Sequence, residues 1–95
     1  MPVTHIFNGT IEEITSERNT TFVTVSYFIW HGNRRRRERI RLVVNARTVI
    51  LNTNGIPVHA SALRRGMIIN ATVSSAMTRS IPPQATAYLI RILRR

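Results

Sequence analysis

The sequence contains no cysteine, no lysine and no aspartate. Without cysteine there is no disulfide, no thiolate metal site and no sulfur nucleophile. Without aspartate, and with only four glutamates, an acidic metal-dependent nuclease centre lacks the oxygen ligands it needs. Without lysine, every permanently cationic side chain is a guanidinium, a planar fork that grips phosphate through paired hydrogen bonds and stacks on flat rings. No apolar run reaches membrane-spanning length, and the start, Met1-Pro2-Val3-Thr4-His5, lacks the basic and apolar regions of a secretory leader. These absences lead us to expect a cytoplasmic protein with no integral membrane association.

Charge is what the chain has in excess. Fourteen arginines face the four glutamates, for a net charge of +10. Such an imbalance costs self-repulsion in the folded state and favours anionic partners. Arginine-favouring base composition is a poor explanation, because the chain is also rich in isoleucine and asparagine, whose codons are AT-rich. The 95 residues suffice for one domain, spanning 1–95, with a modest core.

The hydrophobic pattern is that of strands. Residues 20–30 are dense in β-branched and aromatic side chains, and 36–45 alternate before turning apolar. Residues 67–73 and 85–93 read as two further strands. The first strand, near 5–14, contains Gly9, which signals a bulge or sharp bend. One helix of one or two turns is expected over 57–65, starting at Pro57 and ending before Gly66. The expectation is an all-β fold, five strands with one short helix between the third and fourth. That is the element order of the OB-fold, a small Greek-key barrel.

Four segments carry a resemblance. They are Gly9-Thr10-Ile11-Glu12-Glu13-Ile14, Val23-Thr24-Val25, Leu42-Val43-Val44-Asn45-Ala46-Arg47-Thr48-Val49-Ile50 and Ala62-Leu63-Arg64-Arg65-Gly66-Met67. Across residues 9–73 the sequence resembles small bacterial OB-like barrels of unknown function. Asn45 and Ala62 depart from the pattern, since such domains often carry Asp at both places. The resemblance implies a fold and carries no activity with it.

The most informative stretch is the basic hairpin. His31-Gly32-Asn33-Arg34 suits a two-residue primed turn. Pairing His31 with Arg34 sets Trp30 opposite Arg35, Phe28 opposite Arg37, Ser26 opposite Arg39 and Thr24 opposite Arg41. Val25 then meets Ile40, and Val23 meets Leu42. A slip of one residue would turn the arginines into the core, where an unpaired guanidinium costs several kcal/mol or more. The core face is therefore Val23, Val25, Tyr27, Ile40, Leu42 and Val44. The outer face carries Phe28, Trp30, Arg35, Arg37, Arg39 and Arg41, with Arg34 and Arg36 near the turn.

Aromatics interleaved with arginines make a platform for single-stranded nucleic acid, in which rings stack bases and guanidinium groups neutralise phosphate. OB-folds bind oligonucleotides on strands two and three, flanked by the loops joining strands one to two and four to five. Those loops here carry Arg18, Asn19 and Arg79. The candidate contact set is Phe28, Trp30, Arg34, Arg35, Arg37, Arg39, Arg41, Arg18 and Arg79. Other readings of the same strip stand beside this one. The aromatics could pack at a dimer interface or against an acidic protein partner. Arg–aromatic pairs could simply stabilise the hairpin, and the charge could deter edge pairing. Binding at an anionic lipid surface is a weaker third reading.

No catalytic arrangement is legible, so an enzyme is not expected, and neither a metal nor a cofactor is implied. His5, His31 and His59 lack ligand spacing. Glu12 and Glu13 are adjacent, which on a regular strand would send them to opposite faces. Glu38 should pair with an arginine such as Arg36.

Overall fold

In a computed structural model that describes residues 2–95, the β-branched runs form six strands. They are β1 (Val3–Glu17), β2 (Thr20–His31), β3 (Arg34–Val44), β4 (Val49–Leu51), β5 (Ile68–Ser74) and β6 (Gln84–Arg94). Neighbours follow the order β3-β2-β1-β5-β6-β4, and a further parallel pairing joins β3 to β6. That pairing closes β1, β2, β3, β6 and β5 into a five-stranded barrel, with β4 added in parallel to β6.

Two expectations are corrected. The strand count is six, because Val49–Leu51 pairs with Leu89, Ile90 and Arg91. The helix over 57–65 is a three-residue 3₁₀ turn, Ala60–Ala62. Pro57 bridges Leu51, and Val58 N–H donates to the Ile50 carbonyl at 2.8 Å, so this segment begins extended along β4. The His59 ring then accepts from Ser61 N–H, and Leu63 ends the turn as a buried residue. Too few residues remain before Gly66 for a longer helix. No helix among the described residues is long and apolar enough to cross a membrane.

β1 serves two neighbours. Its first part pairs with β5 and its second with β2, and Thr10 belongs to both ladders. The change of partner needs a bend, and the register against β5 shifts between Ile6 and Gly9. Asn8 takes a left-handed φ of 55°, and its N–H donates to Asn70 Oδ1 at 2.9 Å. Gly9 packs so tightly on Val25 that a β-carbon would collide with its Cγ1. A second shift, between Ile11 and Glu13, is a bulge at Glu12.

Inside the barrel, Ile6, Ile11, Val23, Val25, Ile40, Leu42, Ile69, Val73 and Ile90 are fully buried. Each such side chain contributes about 1.5–3 kcal/mol by leaving water. The expected hairpin register holds at every pair from Thr24–Arg41 to His31–Arg34. Gly32 has φ +61°, as a primed turn with glycine at its first central position requires.

The hairpin outruns the barrel. β2 pairs with β1 only as far as Ser26, and β3 pairs with β6 only from Arg41 to Val43. Residues 27–38 therefore continue as a two-stranded arm with neither edge paired. Burial follows the change: Val25 is fully buried, whereas Phe28 is 51% and Trp30 70% exposed.

Candidate functional site

The expected arginine strip is one face of one hairpin, yet it divides into two environments. The first is the barrel wall, where Arg39 and Arg41 lie opposite Ser26 and Thr24. The second is the arm, which carries Phe28, Trp30 and the run Arg34 to Arg37.

On the wall the bulge is decisive. Ile11 is buried, Ile14 packs against the core, and an extra residue lies between them. The bulge sends both intervening glutamates outward, contrary to the expectation that they face apart. Glu12 accepts from Arg39 Nε at 3.0 Å and also binds Arg37. Glu13 lines a shallow depression with Thr15, Thr24, Arg39, Arg41 and Pro82. Burial works to raise the Glu12 pKa, but hydrogen bonding from Arg39, the charges of Arg37 and Arg39, and a bond from Ser26 together hold it below the usual carboxylate value. Arg41 covers the Phe22 ring, its guanidinium carbon 4.3 Å from the centroid. The wall thus opposes two arginines with two glutamates and leaves its one aromatic capped.

The arm is differently balanced. It holds four arginines and a single glutamate, Glu38. Glu38 binds Arg36 at 2.8 Å, as expected. Its charge, after burial, helps raise the pKa of Tyr27, its cross-strand partner. Arg35 lies over Phe28 at 4.1 Å. Arg37 reaches back to Glu12, so one wall acid also serves the arm. Arg34 takes part in none of the ion pairs or ring contacts found among the described residues. Trp30 presents the largest uncovered aromatic surface of the strip.

Arg18 lies away from the arm, whereas Arg79 lies on a loop that borders the wall. Arg18 occupies the β1–β2 turn with a left-handed φ of 57°. With Asn19, Asn45, His59 and Ala60 it lines an open cleft of about 640 Å³, at the end of β2 far from the arm. Arg79 sits in the loop between β5 and β6. That loop is drawn closed by Thr78, whose N–H donates to the Gln84 carbonyl at 2.9 Å. It also touches the wall, since Arg41 N–H donates to the Pro83 carbonyl at 2.9 Å and Pro82 borders the wall depression.

The histidines stay apart on three elements. His5 Nδ1 is 3.0 Å from Thr72 Oγ1, His31 is at the arm's tip, and His59 caps the 3₁₀ turn. Sequence reasoning missed Glu12, Glu13 and Phe22 as parts of the strip. One signal was present for the glutamates: Ile11 and Ile14 are three apart, so both can face inward only across an inserted residue.

No protein-family model, no curated protein and no solved structure matches the chain.

Proposed function

We propose that the chain is a non-catalytic nucleic-acid-binding domain on an OB-like Greek-key barrel, and that it holds single-stranded DNA or RNA along the hairpin of β2 and β3. The barrel's pairing cycle, β1-β2-β3-β6-β5 and back to β1, supports the OB-like reading. The resemblance of residues 9–73 to small OB-like barrels points the same way. The 3₁₀ turn lies before β5, where the OB-fold has its helix.

The observation that carries the function is the arm. Four consecutive arginines and two exposed aromatics share a projecting ribbon with one glutamate. Phosphate neutralisation by Arg35 and Arg37 combines with stacking on Trp30 and Phe28. Arg39 and Arg41 contribute less, because Glu12 and Glu13 stand among them. Arg18 and Arg79 flank the path at the loops. Binding of this kind reads little sequence and needs neither cofactor nor metal. The ligand is available in the cytoplasm.

The test is polarisation of labelled single strands across a salt series. Contact with about five phosphates gives a slope of log affinity on log salt near −3.5. A slope near zero, or no binding at low salt, refutes the reading.

A second reading keeps the face and changes the partner to an acidic protein or a second copy. The exposed rings of Phe28 and Trp30 support it, since aromatic side chains are enriched at protein interfaces. Light scattering after size exclusion separates the two: a stable dimer with Trp30 fluorescence shielded from quencher supports this second reading.

A further inference from the structure

Alternation along the hairpin has different consequences in its two halves. On the barrel, one parity is buried. On the arm, both parities meet solvent, because nothing pairs beside residues 27–38. The front of the arm carries Phe28, Trp30, Arg35 and Arg37. The back carries Ile29, His31, Arg34 and Arg36. A single strand lying on the front aromatics would leave the back arginines without phosphate partners.

A duplex groove offers phosphates to both faces at once. The B-form major groove, about 12 Å wide and about 8.5 Å deep, admits a two-stranded β-ribbon. The arm's two strands are spaced at about 4.8 Å, and five residues per strand give it a reach of about 17 Å. It is narrow enough to enter and long enough to reach the floor. Its β3 edge is a poor site for a second copy, because arginine-bearing edges repel one another.

We propose that the arm enters the major groove of B-form DNA, with Arg34 and Arg36 on one phosphate row and Arg35 and Arg37 on the other. This deepens the nucleic-acid reading and rests on it. It adds a duplex-binding mode in which the back of the ribbon takes part. It also predicts discrimination against duplex RNA, whose A-form major groove is too narrow for such an element.

The test measures binding of the full chain to labelled single-stranded DNA, duplex DNA and duplex RNA of one sequence, over a salt series. The wild type is compared with R34A/R36A and with R34Q/R36Q, which keeps most of each side-chain stem should the alanine variant fold poorly. Duplex DNA affinity should fall about tenfold or more in both variants, and its salt slope should shrink by about 0.9 for each phosphate no longer neutralised. Single-strand affinity should change by about threefold at most, and duplex RNA should bind about tenfold more weakly than duplex DNA. Equal reductions on single strand and duplex overturn the proposal, as does equal affinity for RNA and DNA duplexes. Binding of single strands without duplex DNA overturns it while sparing the proposed function. Failure to bind any probe overturns the proposed function itself.

Discussion

The arm and the barrel wall are continuous stretches of one hairpin, with the same alternation and an arginine at every second residue of β3 from Arg35 to Arg41. They differ in what lies behind and beside them. The wall is backed by the core and flanked by β1, whose bulge supplies Glu12 and Glu13. The arm has no strand on either side and one acid of its own. On the wall two glutamates stand among two arginines, whereas the arm sets one acid of its own and a share of Glu12 against four, so more of its positive charge is left for an outside anion. A charge stripe read along one strand is incomplete until the neighbouring strand's acids are set beside it.

The largest expected contrast is in stability. Ile40→Ala empties a buried wall position and should cost about 2–5 kcal/mol in urea unfolding. Ile29→Ala on the half-buried arm should cost about 1 kcal/mol or less. Equal costs would mean that the arm is packed as part of the core. Gly9→Ala probes the bend that lets β1 flank the wall. The added methyl meets Val25, and the overpacking should cost about 1–3 kcal/mol.

Next comes binding. Trp30→Ala should weaken single-strand affinity by about 1–3 kcal/mol with the salt slope kept, whereas Phe22→Ala, at a ring already covered by Arg41, should do markedly less. Glu12→Gln tests the contrast from the other side. It frees Arg37 and Arg39, so binding should tighten and the slope should steepen by roughly one phosphate's worth, about 0.7.

The smallest effect is acid sensitivity. The Glu12 pKa is depressed in the folded chain. Its contribution to stability is therefore present at neutral pH and is lost as pH falls through that depressed value. The difference in stability between wild type and E12Q should shrink towards zero under acid. A difference that grows under acid would contradict the ion-pair assignment.

Much of this is legible in the sequence alone. Only one hairpin register keeps arginine out of the core, and that register is the one adopted. The five long strands follow from β-branched density and from turn residues such as Gly32-Asn33. What escapes is non-local. Val49–Leu51 is too short to announce itself, and it becomes a strand only because β6 is there to pair with it. Residues 57–65 have helix-compatible composition, but hydrogen bonding to Ile50 and the bridge to Leu51 hold their start extended. The strip's residues are recognisable as outward-facing, but its division is not. That division depends on where β1 and β6 stop pairing, which no local pattern in residues 27–38 records.

The central claim is that the arm, more than the wall, meets the polyanion. Two double variants test it at equal net charge: R35A/R37A on the front of the arm and R39A/R41A on the wall. Single-strand binding is followed across a salt series. The arm pair should lower the magnitude of the slope by about 1.4, and the wall pair should lower it by less than about half as much. A wall pair that flattens the slope as much as the arm pair, or more, would contradict the claim.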